Sequence, residues 1–392
     1  MALSGKSFFA GRDLCCWQRE IVHRGLRLFL GINLQASEIC TMKKKYIMSA
    51  ALLFSALLLA VLSRHSSFGG MQRYEATFLD VFDTVTSITG YAKSEEIFTE
   101  QVELLHAKLQ RYHQLFDIYH SYEGVHNIKD INDAAGRRPV EADPEVIELL
   151  KLGQDMYRRT EGKVNIAYGS VLAVWHEYRE AGIENPQNAQ LPPADLLGAC
   201  AEHTDISKLV IDEGAGTVFL EDEEMRLDVG SIGKGFAAQR LAEYAREIGM
   251  EHVLFSLGGN VCAVGAKADG TPWRVGIEKP RPEAQGSYVQ AVELAGRSLV
   301  TSGDYQRYYE VDGRRYCHII DPETGMPAEF FPSVTVMAED SGMADAFSTA
   351  LFVMGQEEGL ALVEELEDVE ALWVMEDGGI RCSSGFGIDE EE

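Results

Sequence analysis

"TFLDVFDTVTSITGYA" (residues 77–92) runs almost directly into "SEEIFTEQVELLHAKLQRYHQLFDIY" (94–119), and this handover sets the class of fold. The first segment alternates and is rich in Thr, Val and Ile, the period-two pattern of a strand. The second opens on Ser94–Glu96, a capped helix start, and its apolar residues recur at three and four. Outward from there the two kinds of element stay interleaved. "DPEVIELLKLGQDMYRRTEG" (143–162) is a helix, with Pro144 at its first position and Gly162 past its end. "NPQNAQLPPADLLGAC" (185–200) is a turn region leading into a short helix, and "GKGFAAQRLAEYAREIG" (233–249) is an amphipathic helix. Strands are expected at "KLVIDE", "TVFLED", "HVLFSLGGNVCAVGA", "WRVGIEKP", "SYVQAVELAGRSLVTSG" and "RYYEVDGRRYCHIID". A buried helix, "SGMADAFSTALFVMG" (341–355), precedes a final helix and strands. There is no repeat and no regular βαβ rhythm, so the class is α+β.

The net charge is −27 over 392 residues. Residues 1–64 hold nine Lys/Arg against three Asp/Glu, so the remaining chain is more acidic still, at about −33. Such a body repels phosphate backbones, which argues against a nucleic-acid partner. An anionic small molecule then needs a local cation or metal. Of the seven cysteines, Cys200, Cys262, Cys317 and Cys382 lie in the acidic body, with no CxxC pair to suggest zinc. They are expected to be unpaired thiols.

The basic N-terminal part carries "MKKKYIMSAALLFSALLLAVLSR" (42–64), three lysines before an uncharged run from Tyr46 to Ser63. As a helix these 18 residues rise about 27 Å, roughly the bilayer core. The layout is that of a signal peptide or signal anchor, with the lysines cytoplasmic and the body exported. No cysteine follows the run, and no small-residue cleavage site stands out, which favours a retained anchor. Residues 1–41 read as an extension without a structural role.

Two stretches carry the chemistry. In "SGMADAFSTALFVMG", Asp345, Ser348 and Thr349 fall at i, i+3 and i+4, so a carboxylate and two hydroxyls share one face of an otherwise apolar helix. In "RLDVGSIGKGFAAQRL" (226–241), a strand meets a tight Gly turn and then a helix N-terminus, which suits phosphate. Lys234 adds charge, and Asp228 precedes the turn. This is not a Walker A loop: only two residues separate Gly230 from Gly233, and Phe236 stands near where a hydroxyl should follow the lysine. "FSLGGNVCAVG" (255–265) supplies a second close-approach turn. "TSGDYQRYYEVDGRRYCHIIDPETGMP" (301–327) places Asp304 beside a strand pair and His318 before an Asp-Pro turn.

Taken in order, "LDVGSIGKGFAA", "SLGGNVCAVG…PWRVGIEKP", "TSGDYQRYYEVDGRRYCHIIDPETGMP" and "ADAFSTALFVMG" resemble the FAD:protein FMN transferases, the ApbE-type flavin transferases. "EGKVNIAYGSVLAVW" (161–175) matches more weakly. The resemblance runs from about Thr77 to Arg381 and implies a two-lobed, T-fold-like domain over residues 74–385 with an FAD and metal cleft between the lobes. It also implies Mg2+-dependent transfer of FMN from FAD to a Thr or Ser hydroxyl of an acceptor protein, with AMP leaving. Acceptors of that kind include subunits of membrane redox pumps and exported flavoproteins. By motif position, Asp345 and Thr349 resemble metal ligands, with Ser348 between them and the backbone oxygen of Ser231 as a further ligand. Asp228, Lys234, Lys163, Val164, Asn165 and Ile320 resemble cofactor contacts, and Tyr119 or Tyr122 an aromatic stacked on the cofactor. His318 is the candidate base for the acceptor hydroxyl, and Asp304 a second one.

The chain departs from the family pattern at its first strand. Phe82-Asp83-Thr84 stands where the family often has Met-Gly-Thr, which places Phe82 at the cofactor. Asn165 stands where Asp is common. The same residues are compatible with a Mg2+-dependent FAD pyrophosphatase, in which water replaces the acceptor hydroxyl, or with a membrane-anchored flavin-binding protein. Hard oxygen ligands do not separate Mg2+ from Mn2+.

Overall fold

The structure, a computed structural model, describes residues 70–280 and 288–387. The expected 1–41 extension and the 42–64 membrane segment lie outside the described residues. Among the described residues no helix is long and apolar enough to cross a membrane.

An eight-stranded antiparallel sheet is the centre of the fold. Its strands are β1 (Gln72–Val81), β2 (Thr84–Ala92), β3 (Val253–Leu257), β4 (Asn260–Val264), β5 (Ser298–Gly303), β6 (Ser333–Ala338), β7 (Glu370–Val374) and β8 (Ile380–Cys382), and they lie side by side in chain order. Helices α1 (Glu95–Phe116), α2 (Ile128–Asp133), α3 (Pro144–Arg159), α4 (Gly169–Glu184), α5 (Ala194–Ala201) and α6 (Gly233–Glu247) all fall in the single excursion between β2 and β3. Helices α7 (Ser341–Val353) and α8 (Gln356–Glu364) connect β6 to β7. Helices α1, α6 and α7 cover one face of the sheet and share its largest apolar cluster. The hairpin Trp273–Glu278/Tyr288–Leu294 covers the other face, where Trp273, Ile277 and Leu294 meet Leu299, Met337 and Leu372. Strand β6 is buried along its whole length because both of its faces are covered. A third cluster joins α4 and α5 to the hairpin Tyr308–Val311/Arg314–Cys317 through Trp175, Leu197, Tyr309 and Tyr316.

The expected helix starts are explained by their caps. Ser94 accepts from the Ile97 N–H at α1, and Asp143 accepts from the Glu145 N–H at α3 with Pro144 first in the helix. The α+β class holds, the fold is mixed throughout, and the described residues fall in one compact unit. The four body cysteines are free.

One expectation needs correction, and one helix goes unannounced by the sequence. Residues 77–92 are not one strand. They form a hairpin in which Val81 pairs with Thr84, and Phe82 (φ 55°) and Asp83 (φ 51°) make the turn in left-handed geometry. The β3–β4 turn repeats the device with Gly258 (φ 55°) and Gly259 (φ 97°), where the glycine pair announces it. Helix α4 carries no start signal in the sequence. It has no side-chain cap, and the Gly169 N–H donates instead to the distant Arg226 carbonyl at 3.0 Å, so tertiary structure sets where it begins.

Candidate functional site

One cleft of about 680 Å3, within the usual range for small-molecule sites, collects the ends of most of these elements. The β1–β2 and β3–β4 turns enter it from the sheet, with Phe82 and Gly258 among its lining. The turn before α6 and, from α7, Asp345 and Thr349 line it. Helix α4 and the segment His318–Ile320 line it as well. Trp175 donates to the Gly325 carbonyl at 2.9 Å, which fixes α4 against that segment.

The turn before α6 is built from its own polar groups. Asp228 Oδ1 accepts from the Gly230 N–H at 2.8 Å, and the Gly233 N–H reaches the Val229 carbonyl at 2.7 Å. Burial pushes the Asp228 carboxyl above its ordinary range, against the pull of the Gly230 N–H, His176, Lys234 and Arg179. Gly235, one residue into the first turn of α6 from Lys234, permits the closest helix contact in the site. A Cβ there would lie 2.2 Å from the Ser341 carbonyl oxygen and 2.4 Å from the Asp345 Cβ. Helices α6 and α7 therefore meet almost backbone to backbone, and the Gly235 N–H donates to Asp345 Oδ2 at 2.8 Å.

Asp345 is 3% exposed, and burial drives its carboxyl upward more strongly than Lys234, the Gly235 N–H and Asn260 pull it down. An incompletely compensated buried carboxylate is a place for a cation. Thr349, one turn further along α7, lines the same cleft, as does Ser231 from the facing turn. These donors are hard oxygens and fit Mg2+, which keeps waters and substrate phosphates as its other ligands. Among the described residues there is no group of three or more His, Cys, Asp or Glu that could hold a metal, so a cation here would take its other ligands from hydroxyl and carbonyl oxygens, water and substrate. Buried Asn260, also on the cleft, favours the ionised Asp345 carboxylate through its side-chain amide.

His318 is fixed from behind. Its backbone N–H and its ring Nδ1 both meet the Arg307 carbonyl, at 3.0 and 3.2 Å. The ring proton therefore sits on Nδ1, and Nε2 keeps its lone pair. Desolvation inside the cleft, reinforced by Arg307, Arg179 and Lys234, holds the imidazole pKa down to about 3. The ring is neutral at pH 7, the form that can accept a proton.

A family model described as "ApbE family" matches residues 82–373. The chain belongs to the ApbE family. It is 33% identical over 295 residues to an FAD:protein FMN transferase of Klebsiella pneumoniae (strain 342), covering 75% of this chain and 87% of that protein. A protein of the same name from Treponema pallidum (strain Nichols) is 34% identical over 270 residues, or 65% of this chain and 72% of that one. Among solved structures, the ApbE protein of Thermotoga maritima superposes with a TM-score of 0.71 at 30% identity, covering 80% of this chain and 98% of that one. The flavin transferase ApbE of Vibrio cholerae does so with a TM-score of 0.66 at 26% identity, covering 81% and 98%.

Most of the residues expected to form an ApbE-type site line the cleft: Phe82, Tyr119, Lys163, Val164, Asn165, Asp228, Ser231, Lys234, His318, Ile320, Asp345 and Thr349. Two do not. Ser348 is fully buried, and its hydroxyl lies between Ser302 Oγ (2.8 Å) and the Asp345 carbonyl (2.9 Å), so it braces the site from behind. Asp304 is left out as well, because the lining passes from Gly303 to Gln306. Its N–H is turned onto the Pro332 carbonyl at the end of the sheet.

Within the lining, some side chains are already engaged. Lys163 Nζ is bound by Glu323 at 2.6 Å, and Asn165 holds the Ala167 N–H and the Thr204 carbonyl. What these two offer a ligand is mainly backbone. The Tyr122 hydroxyl donates to Asp117 Oδ2 at 2.6 Å, whereas the Tyr119 ring is 52% exposed and packs 5.2 Å from the His176 ring. Tyr119 is the freer aromatic face. The sequence reading missed Trp175, His176, Arg179 and Arg307, all on the cleft. The first three recur at helical spacing with Leu172 in "VLAVWHEYR", a face visible only once that stretch is read as a helix.

Proposed function

We propose that this protein transfers the FMN half of FAD to a Thr or Ser hydroxyl of an acceptor protein, releasing AMP in a Mg2+-dependent reaction. Flavin transfer rests on membership of the ApbE family and on relatives named FAD:protein FMN transferase. The observation that carries the rest is the pairing, across one cleft, of a buried carboxylate short of positive charge with a neutral, oriented imidazole. Asp345, Thr349 and the Ser231 carbonyl would hold the metal, which supplies charge neutralisation at the FAD pyrophosphate. Lys234, at the start of α6, receives phosphate oxygens, and Tyr119 covers an aromatic ring of the dinucleotide. His318 Nε2 takes the proton of the acceptor hydroxyl as its oxygen bonds to the flavin-side phosphorus. The bond from that phosphorus to the bridging oxygen breaks, and AMP departs with the electron pair.

The acceptor on this reading is a flavoprotein such as a redox-pump subunit or an exported protein, and residues 42–64 tether the enzyme to the membrane with the catalytic body outside the cytoplasm. The test is incubation of the purified protein with FAD, Mg2+ and candidate exported flavoproteins, read by in-gel flavin fluorescence and AMP release. A fluorescent acceptor band with matching AMP supports transfer. Steady AMP without an adduct indicates a pyrophosphatase, and FAD binding without AMP a carrier.

A further inference from the structure

Several arginines of this acidic body sit against carboxylates: Arg111 on Asp143, Arg240 on Glu148 and Glu243, Arg315 on Glu310. Arg179 on α4 is different. It is half-buried on the cleft, and among the described residues it is in no ion pair with Asp or Glu. Its Nη2 donates to His176 Nδ1, and His176 Nε2 is held in turn by Glu180 at 3.0 Å. The relay orients the guanidinium without neutralising it by direct contact, and burial holds its pKa below the ordinary arginine value. Arg307 stands on the same cleft, its guanidinium's only hydrogen bond among the described residues running to the Asp83 carbonyl at 3.5 Å. The Arg307 backbone carbonyl is also the group that fixes His318. Two forks without carboxylate partners thus share the cleft with the imidazole and act on its charge, and planar guanidinium forks match phosphate oxygens.

We propose that Arg179 and Arg307 form a clamp on the phosphate being transferred, gripping its non-bridging oxygens on the side from which the acceptor hydroxyl attacks. This rests on the transfer reaction above and adds two catalytic residues to it. Lys234 adjoins Gly235, whose N–H holds Asp345, so Lys234 would act beside the metal while the clamp takes the remaining oxygens, and the two would share the developing charge. The clamp also governs His318. The charges that act on the ring are Arg307, Arg179 and Lys234, with Asp228 and His176 in the same cleft. While the cleft is empty, desolvation keeps the ring deprotonated and the three cations reinforce it. A phosphate seated between the arginines offsets their charge, and the ring can then accept the hydroxyl proton at the moment it is released.

The test uses the full-length protein with FAD, Mg2+ and an acceptor flavoprotein that the wild type labels, comparing Arg179→Gln, Arg179→Lys and Arg307→Gln. The expected result is a fall in kcat of about 10²- to 10³-fold for each Gln variant. The Kd for FAD, read by flavin fluorescence, should change far less, and Arg179→Lys should recover part of the rate. In Arg307→Gln the acid limb of the kcat/KM profile should move to higher pH, because one positive neighbour of His318 is gone. Variants that keep the wild-type kcat, or that lose FAD binding as much as rate, overturn the clamp. Should one variant fail to fold by circular dichroism, the other decides. A wild type that labels no acceptor and releases no AMP overturns the transfer reading itself, which keeps the two failures apart.

Discussion

Asp345 caps a helix that is not its own. Helix α6 has no side-chain cap at its N-terminus, and the Gly235 N–H finds its acceptor in Asp345 Oδ2 on α7. One carboxylate oxygen is therefore structural, and the other is available to the cleft. Substitutions separate the two roles. Asp345→Asn keeps an oxygen for Gly235 and removes the charge, so the fold should persist while Mg2+-dependent transfer is lost. Asp345→Ala removes the cap as well and should cost about 1–2 kcal/mol of stability. Chemical denaturation and the FMN-labelling assay check both, and a fully active Asp345→Asn protein would refute the metal role.

The raised Asp345 pKa gives a sign to metal binding. A carboxyl that titrates higher in the folded state than in the unfolded one takes stability away as pH rises through the interval above its ordinary value of 3.8. A bound cation favours the ionised carboxylate and offsets that loss. Mg2+ at one hundred times its Kd should add about 2.7 kcal/mol. Differential scanning should show the melting temperature rising with Mg2+ in the wild type and staying flat in Asp345→Asn. A wild type indifferent to Mg2+ with FAD present would remove the assignment.

His318 carries the opposite sign. Its folded pKa of about 3 lies below the ordinary 6.5, so its contribution to stability is present above pH 6.5 and is lost as pH falls from there toward 3. His318→Gln should flatten that part of the melting temperature against pH curve. The same variant should lower transfer by about 10²- to 10⁴-fold while FAD affinity stays near the wild-type value. Equal losses of rate and affinity would make His318 a binding residue.

Much of the site was legible because its residues sit in short motifs whose local geometry carries over into the fold. Asp345 and Thr349 share a helix face by spacing alone, and the Gly turn before Lys234 announces a close approach that Gly235 then makes against α7. What stayed hidden was set by contacts between distant segments. Helix α4 starts where Gly169 meets Arg226, so its cleft face, with Arg179, had no local start signal. Ser348 has the same spacing claim as Thr349, yet its hydroxyl is taken by Ser302, 46 residues earlier in the chain. The β1–β2 turn was read through as strand because its residues are Phe and Asp, which carry no turn signal of the Asn-Gly kind.

That turn makes the last prediction. Phe82 and Asp83 both hold left-handed backbone angles, which cost an L-residue about 1–2 kcal/mol each. Such strain collects where a ligand is gripped. The turn is held in place by the Phe82 N–H on His113 Nδ1 at 3.2 Å and by Arg307 on the Asp83 carbonyl, while the Phe82 ring packs edge-on to His113 at 5.8 Å. Asp83→Gly removes strain without removing the ring. Its gain is trimmed by the roughly 0.5–1 kcal/mol of chain entropy that glycine loses on folding, so stability should be unchanged or rise by less than about 1 kcal/mol, with FAD affinity intact. Phe82→Gly relieves the same kind of strain but loses the ring from the cleft lining, and FAD should bind about tenfold more weakly, the size of effect a single aromatic contact supports. Melting curves beside FAD titrations of the two variants decide it: equal FAD affinity in both would mean that the ring serves the fold alone and that the strained turn is not a ligand grip.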